Sequence, residues 1–564
     1  MSSKFANEEL LTQGLVADIL SVSKETVRKW SKNGELIPAN GQNLYRWVDL
    51  QKFPEVQEML SSAWDKESKI VPLRKFRSIE LFAGAGGLAL GLENAGFDSV
   101  AFNEFDLDAC DTLRKNRPHW NVIEGDVAKI DFTRFTNIDL VSGGFPCQAF
   151  SYAGNRFGFE DARGTLFFEF ARVIRETLPK VFLGENVRGL LTHDNGKTLE
   201  AIKSVIKDLG YTLIEPRVLK AIFYRVPQKR ERLALIGIRN DLAKHLSDFK
   251  WPSPAQRVYT VRDALKKGEL FKDDVPESRG VFYTKWKADI IAKISPGGYW
   301  RDLPIDLQKQ LLKGSFHLEG GKTGIGRRLS WAEPSLTLTC APAQNQTGRC
   351  HPSETRPLTI REYARIQTFP DDWEFCGSVM SQYKQIGNAV PVNLAEALGR
   401  SLIALLNKIE EKKPQNRNER IVTPHGIRSP NGSVQLMLFE PSTLYLVHKS
   451  PVTLLGTYRR SCRDWIVANN LYNYPVTDVE LDICQYIRSV CRLVLMRKHD
   501  MSLSYSVNGY SIVNKKDMVA LGYKIGKNHP AAQKYILYKL SPLSVLPQFD
   551  ESIAIPIVGK GVHI

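Results

Sequence analysis

The sequence has no CxxC pair, and its eight cysteines are scattered from Cys110 to Cys491. That spacing argues against a disulfide scaffold and against a zinc site, so no metal is expected and a reducing compartment is the simpler setting. No apolar run approaches the ~18 residues that cross a bilayer. The opening Met1-Ser-Ser-Lys-Phe-Ala-Asn-Glu-Glu9 has no apolar core of a secretory signal. A cytoplasmic protein without a membrane partner is therefore expected. A phosphate-binding loop is also missing: Gly321-Lys322-Thr323 has the wrong glycine spacing, and no long helix follows. Acidic residues are in the minority, 61 Asp and Glu against 77 Lys and Arg, for a net charge of +16. Such a surplus suggests a polyanion partner, with nucleic acid ahead of a membrane surface. What remains, 43% apolar and 24% charged residues over 564 positions, fits a globular chain of several domains.

The most informative stretch is Asp139-Leu-Val-Ser-Gly-Gly-Phe-Pro-Cys-Gln-Ala-Phe-Ser151. Ile138 to Val141 reads as a short buried strand, Gly143 and Gly144 break it, and Pro146 fixes a turn. Cys147 then stands at the mouth of a loop at the C-terminal edge of a strand, where open α/β sheets bind ligands. It is either a reachable thiol or a core cysteine beside a turn.

Residues 1–65 form a small unit of their own. Leu15 to Leu20 has helical spacing, and Ser23 is a good N-cap for a second helix from Lys24 to Trp30. That helix carries Lys24, Thr26, Arg28 and Lys29 toward DNA, with Val27 and Trp30 packed inward. Gly34 ends it, and Leu44 to Trp47 reads as a wing strand. The pattern resembles the winged helix-turn-helix of excisionase and MerR-type proteins; a helical hairpin without a DNA role is the alternative. Ala63 to Lys75 reads as a charged linker.

Ser78 to Phe82 reads as a strand, Ala83-Gly-Ala-Gly-Gly87 as a turn and Leu88 to Ala95 as a helix, an arrangement that lets backbone approach a nucleotide-like ligand. A second strand ends at Glu104, placed to accept from both ribose hydroxyls. A third unit ends at Asp126, placed to accept from an adenine amino group. No cation lies near the turn, which favours a nucleoside cofactor without phosphates.

Phe82-Ala-Gly-Ala-Gly86, Gly144-Phe-Pro-Cys-Gln148, Glu185-Asn-Val187, Gln228-Lys-Arg-Glu-Arg232 and Gln385-Ile-Gly-Asn-Ala-Val-Pro391 follow one another in this order. Over residues 76 to about 405 the chain resembles the DNA (cytosine-5) methyltransferase family, with Phe145 where the family commonly has a second proline. The resemblance implies a Rossmann-like α/β methyltransferase body (76–250 and 357–406) that uses S-adenosyl-L-methionine. It implies a cofactor site of Phe82, Gly84, Gly86, Gly87, Glu104 and Asp126, an apolar wall at Leu166, and Asn388 closing the pocket. Cys147 is then the nucleophile that adds to cytosine C6. Glu185, its pKa raised by burial, donates to N3. In the motif Gln228–Arg232, Arg230 is assigned to the cytosine O2, and Arg232 is either a second contact or structural.

Residues 251–356 turn rich in glycine, proline and polar side chains, and Arg327, Arg328 and Arg349 are candidates for reading base edges. By family position this is the target recognition domain, beside which a base is turned out of the duplex. Pro357 to Pro370 resembles the family's supporting motif. Lys408 to Arg420 reads as a linker, and 421–564 as an accessory domain. Within it, strands are expected at Leu444–Val447 and Tyr535–Tyr538 and a helix near Val479–Met496, with Cys484 and Cys491 in its core. The resulting expectation is a monomeric bacterial enzyme on double-stranded DNA, the modification partner of a restriction endonuclease, with residues 1–65 regulating transcription of its own operon. An RNA cytosine methyltransferase, and a regulator that only senses cofactor, are the alternatives.

Overall fold

Phe76–Leu81 is the central strand of the molecule (β1), its side chains almost all enclosed by helices on both faces, as a parallel strand requires. The computed structural model describes residues 5–39, 43–145, 166–317, 324–344 and 348–411, and beyond them the strands lying between 434 and 558. The chain divides into two compact units, 1–413 and 414–564. In the first, β1 is joined by β2 (Phe97–Glu104), β3 (Val122–Glu124), β4 (Leu140–Gly144), β5 (Val181–Val187), β6 (Tyr211–Leu213), β7 (Arg217–Lys220) and β8 (Glu231–Arg239). The order is β3-β2-β1-β4-β5-β8-β6, with β7 also paired to β8. Strands β3, β2, β1, β4 and β5 are parallel, and β8 runs antiparallel to its three partners. The order reverses between β1 and β4, which opens a crevice at their carboxyl ends.

The helix Gly87–Ala95 after β1 is covered by the long helix Val392–Glu411. Glycine permits the approach: a Cβ on Gly91 would stand 2.4 Å from the Ala395 Cβ and 2.6 Å from the Val392 carbonyl. The helical stretch Val379–Glu411 that ends in this helix is apolar and long enough to cross a membrane, but most of its apolar window is buried. The sheet is thus covered by chain more than 150 positions after β8.

Residues 13–19 and 24–32 are helices joined through Ser21, which has φ 60°. The Ser23 hydroxyl accepts from the Thr26 amide at 3.0 Å, and Leu10–Thr12 pairs antiparallel with Leu44–Arg46. Their apolar core, with Val16, Ile19, Val27 and Trp47, also takes in Ile222 and Val258 of the body. The expected linker 63–75 instead contains a helix, Trp64–Glu67. Trp64 is buried with the Arg400 guanidinium 5.0 Å from its ring, and Glu67 accepts from the Ser253 amide and hydroxyl. Burial of one aromatic was enough to override a charged composition.

Residues 251–356 are mostly irregular, around a small core of Ile290, Ile294, Trp300 and Leu311. Short ladders tie them down: Gln228–Lys229 against Ser335–Leu336, and Arg327–Arg328 against Arg349–Cys350. The second unit holds an eight-stranded sheet. Strands Leu444–Leu446 and Lys534–Pro542 lie where strands were expected. The helix expected over 479–496 is corrected at its C-terminal end, where Val490–Arg497 is a strand between 452–457 and 500–514. Val490, Leu493, Val494 and Leu495 suit a strand with neighbours on both sides, and that pairing overrides helical spacing.

Candidate active site

The crevice holds a cleft of about 940 Å³. Its walls are the ends of β1, β2, β4 and β5, Arg230 just before β8 and Arg232 at its start, residues 337–340, and the return segment 384–390. Leaving β1, Phe82 takes φ 57° and Gly84 φ 54°. The bend is held by Glu104, whose carboxylate accepts from the Gly84 amide at 2.6 Å and from the Phe105 and Asp106 amides at 2.8 Å each. A carboxylate has about four lone-pair sites, so Glu104 keeps acceptor capacity toward the cleft that it lines. Gly87 also lines the cleft, and a Cβ there would meet the Val390 carbonyl at 2.2 Å. Gly86, at φ 85°, is not among the lining residues; a Cβ there would strike Leu113 and Trp373. Asp126 caps the turn Val127–Lys129 by accepting from the Ala128 amide at 3.0 Å, and Leu166 packs on the core around Phe145. Neither is among the residues lining the cleft.

Parallel pairing sets Gly144 of β4 beside Glu185 of β5. The two are so close that a Cβ on Gly144 would lie 2.8 Å from Glu185 Oε2. Glu185 Oε1 is ion-paired to Arg232 Nε at 2.5 Å, with both side chains 14% exposed. Asn186 donates to the Phe145 carbonyl at 2.7 Å, fixing the chain as it leaves β4. Cys147, just past Phe145, lies outside the described residues.

Two expected site residues have other occupations. Arg230, assigned from sequence to the base, is 2% exposed. Its guanidinium donates to the Leu338 carbonyl at 3.5 Å and the Asn388 carbonyl at 3.3 Å. Burial, reinforced by the neighbouring charge of Arg232, brings it down to about 9. It is Arg232 that meets Glu185. Gln228 is fully buried: its amide donates to Gln367 at 2.9 Å and accepts from the Leu338 amide at 2.9 Å. It braces the cleft wall from behind and has no face toward a substrate.

Asn388 lies in the wall and accepts from the Cys340 thiol at 3.0 Å. Cys340, Glu80 and the pair Asp106–Lys384, which meets at 2.8 Å, also line the cleft wall and were not among the residues expected there. Glu80 had a signal: an acid inside the apolar run Ile79 to Phe82. It is 2% exposed, burial pushes its pKa well above the carboxylate range, and its Oε2 has no hydrogen-bond partner.

The arginines and lysines picked for DNA divide. Arg328 and Arg349 are each 6% exposed and donate to backbone carbonyls, Arg328 to Ile291 and Pro352 and Arg349 to Thr337. They hold the irregular segment together and do not present a face to DNA. Arg327 stacks on Tyr299, 4.3 Å from the ring centroid. Lys24 is paired with Glu333 at 3.1 Å, Thr26 bonds to the Ser23 hydroxyl, and Arg28 bonds to Glu25. Lys29 is exposed.

A reversing, mostly parallel sheet with a glycine turn and an acid ending the next strand defines an α/β enzyme that takes a nucleoside-type cofactor. Residues 76–404 match the model of the C-5 cytosine-specific DNA methylases, and the chain belongs to that family. It is 62% identical over 402 residues to the Type II methyltransferase M.Eco47II of Escherichia coli, covering 70% of this chain and 96% of that one. It is 59% identical over 398 residues to M.PspPI of Psychrobacter sp. (strain TA137), covering 70% and 95%. To M.Sau96I of Staphylococcus aureus it is 49% identical over 427 residues, covering 72% and 97%. The protein is a DNA cytosine-5 methyltransferase, and S-adenosyl-L-methionine is its methyl donor. The cleft fits that donor. Oε2 of the buried Glu80 carboxyl has no hydrogen-bond partner and can ionise beside a cationic ligand, and the turn 83–87 offers no side-chain cation that a phosphate would need.

Proposed function

We propose that this chain is a Type II modification enzyme. It methylates C5 of a cytosine rotated out of a specific duplex sequence, through a covalent adduct with Cys147, and a cognate restriction endonuclease cuts the same sequence. The observation that carries the reading is the Glu185–Arg232 ion pair at the sheet edge from which β4 leads toward Cys147; the relatives named as Type II methyltransferases support its biological setting.

S-adenosylmethionine, when bound, supplies an electrophilic methyl group. The turn Phe82–Gly84, Glu80, Glu104 and Asn388 are the residues that would hold it. Cytosine C5 is a poor nucleophile until the ring is activated. The Cys147 thiolate adds to C6, and Glu185, taking a proton from solvent as Arg232 turns from it to the cytosine O2, passes that proton to N3, where charge would otherwise accumulate. C5 then has enamine character and accepts the methyl group. Loss of the C5 proton, departure of the thiolate from C6 and return of the N3 proton to Glu185 restore the neutral aromatic ring. Arg232 keeps Glu185 at the edge and is the residue to meet the cytosine O2; Arg230 positions the wall behind it.

The test is transfer of labelled methyl groups to unmethylated DNA, beside Cys147→Ser and with a duplex carrying 5-fluorocytosine. Fluorine does not leave as a proton does, so a slow band on a denaturing gel is expected, absent from the Ser variant. DNA binding without label or adduct overturns the reading, and label on RNA alone moves the substrate to RNA. A second reading concerns residues 1–65. The Ser23-capped helix with exposed Arg28 and Lys29 supports a helix-turn-helix that also binds operator DNA and represses the enzyme's own operon. A footprint of the full chain on its promoter, lost in Arg28→Glu/Lys29→Glu while methylation persists, is the expected result.

A further inference from the structure

A second groove, of about 450 Å³, adjoins the active-site cleft and shares Val187, Arg230, Arg232 and Thr337 with it. One wall belongs to the sheet edge and carries Arg188, Lys220 and Lys229; the other is the first turn of the N-terminal segment, with Asp18, Ser21 and Val22. The surface that sets Arg232 against Glu185 therefore continues under the turn between the helices 13–19 and 24–32.

The charges of this groove are unevenly committed. Lys229 is held by Asp18 at 2.7 Å and by Glu333 at 3.4 Å, and Arg232 by Glu185. Arg188 has a side chain 67% exposed and meets Glu231 at 2.9 Å. The Lys220 ammonium reaches the uncharged Ser21 hydroxyl. Asp18, the acid of the N-terminal wall, is already balanced by Lys229. An anion entering the groove thus meets two cations able to reorient and no unbalanced carboxylate on the opposite wall. A guanidinium beside an ammonium suits a phosphodiester. A base turned into the cleft stays tied to its strand by the phosphates on either side, and the groove opens from the rim of that cleft.

We propose that this groove seats the DNA backbone beside the target cytosine, with a phosphodiester between Arg188 and Lys220, and that the Asp18–Val22 turn forms one wall of the substrate site. The N-terminal segment is then part of the substrate machinery whether or not it also binds an operator.

The experiment uses the full chain and a fluorescent 30-base-pair duplex centred on a methylated site mapped by bisulfite sequencing. Arg188→Ala/Lys220→Ala is expected to raise Kd about tenfold or more and to flatten the dependence of log Kd on log salt by roughly one to two. Methyl transfer at saturating DNA should keep its kcat. Ser21→Asp, a residue that tolerates the positive φ, puts a negative charge on the N-terminal wall and should weaken binding in the same direction. In the wild type, ethylating a phosphate next to the target should interfere with binding, and in the double variant that interference should vanish. An unchanged Kd and salt slope in the double variant overturns the proposal. Loss in the double variant with none in Ser21→Asp overturns the part assigned to the N-terminal segment. Thermal melting of each variant separates these outcomes from misfolding, and binding is read independently of methyl transfer.

Discussion

Glu185 and Arg232 are held at contact distance in a site with little room, so small changes there should act on the chemical step. Glu185→Gln removes the proton donor and should lower kcat by about 10²–10⁴-fold, the usual share of a general acid, with S-adenosylmethionine binding retained. Gly144→Ala should do part of the same damage without touching a reacting group, since its Cβ would fall 2.8 Å from Glu185 Oε2; single-turnover kinetics would show the loss in the methyl-transfer step. Glu80→Gln should weaken S-adenosylmethionine, measured by calorimetry, by about tenfold, because a bound cation offsets the burial that keeps the Glu80 carboxyl neutral and draws off its proton, which an amide cannot match. The place of Glu185 at the end of a strand was legible in the sequence because the apolar run Val181 to Leu183 leads into it, and the structure pairs it with Gly144 of β4. The choice between Arg230 and Arg232 was not. Residues two apart share a face on a continuous strand, but Arg230 lies in the break between Gln228–Lys229 and β8, and the alternation fails there. Arg328 and Arg349 were expected at base edges and are buried for a related reason: an arginine count does not distinguish a side chain that faces solvent from one that binds backbone carbonyls inside an irregular segment.

Elements are secured to one another by buried charge as well as by apolar packing. Asp139, at the head of β4 and 2% exposed, accepts from Arg74 and from the Arg77 amide and is paired with Lys180 at 2.9 Å. Burial by itself would raise its pKa; the hydrogen bonds from Arg74 and Lys180 outweigh it and leave the carboxyl below its ordinary 3.8. Because the folded pKa is depressed, this stabilisation is complete above about pH 4 and is lost as pH falls through the folded value. Asp139→Asn should therefore destabilise the body by about 3–5 kcal/mol at neutral pH. Urea unfolding across a pH series should show the gap to wild type constant down to about pH 4 and narrowing below it. A gap that widened on acidification would contradict the assignment. The strand–turn–helix units were readable because glycine and apolar runs mark them locally. The strand Val490–Arg497 was not, because its two neighbours are distant in sequence and only their pairing decides between helix and strand.

Across the whole molecule, the N-terminal segment and the second unit should respond oppositely to removal. Residues between Phe5 and Met59 share a core with Ile222 and Val258, and their charge network joins Asp18 and Lys24 to Lys229 and Glu333. Cutting them away bares apolar surface on the body and leaves Glu333 and Lys229 with fewer partners, beside the arginines of the active site. Their deletion should lower the melting temperature of the body by several degrees, as a loss of a few kcal/mol does in a domain of this size, and reduce methyl transfer with it. The described residues lining the cleft all lie between Glu80 and Val390. The family model ends at residue 404, and relatives of nearly full length match about 400 residues. The unit 1–413 therefore contains the family's catalytic architecture without the sheet of 414–564. A chain ending at Lys413 should melt as one cooperative transition and retain kcat within about twofold, since no described cleft residue is lost. If that truncation abolished methyl transfer while leaving the melt intact, the second unit would hold part of the substrate site, and the reading of a self-sufficient first unit would fail.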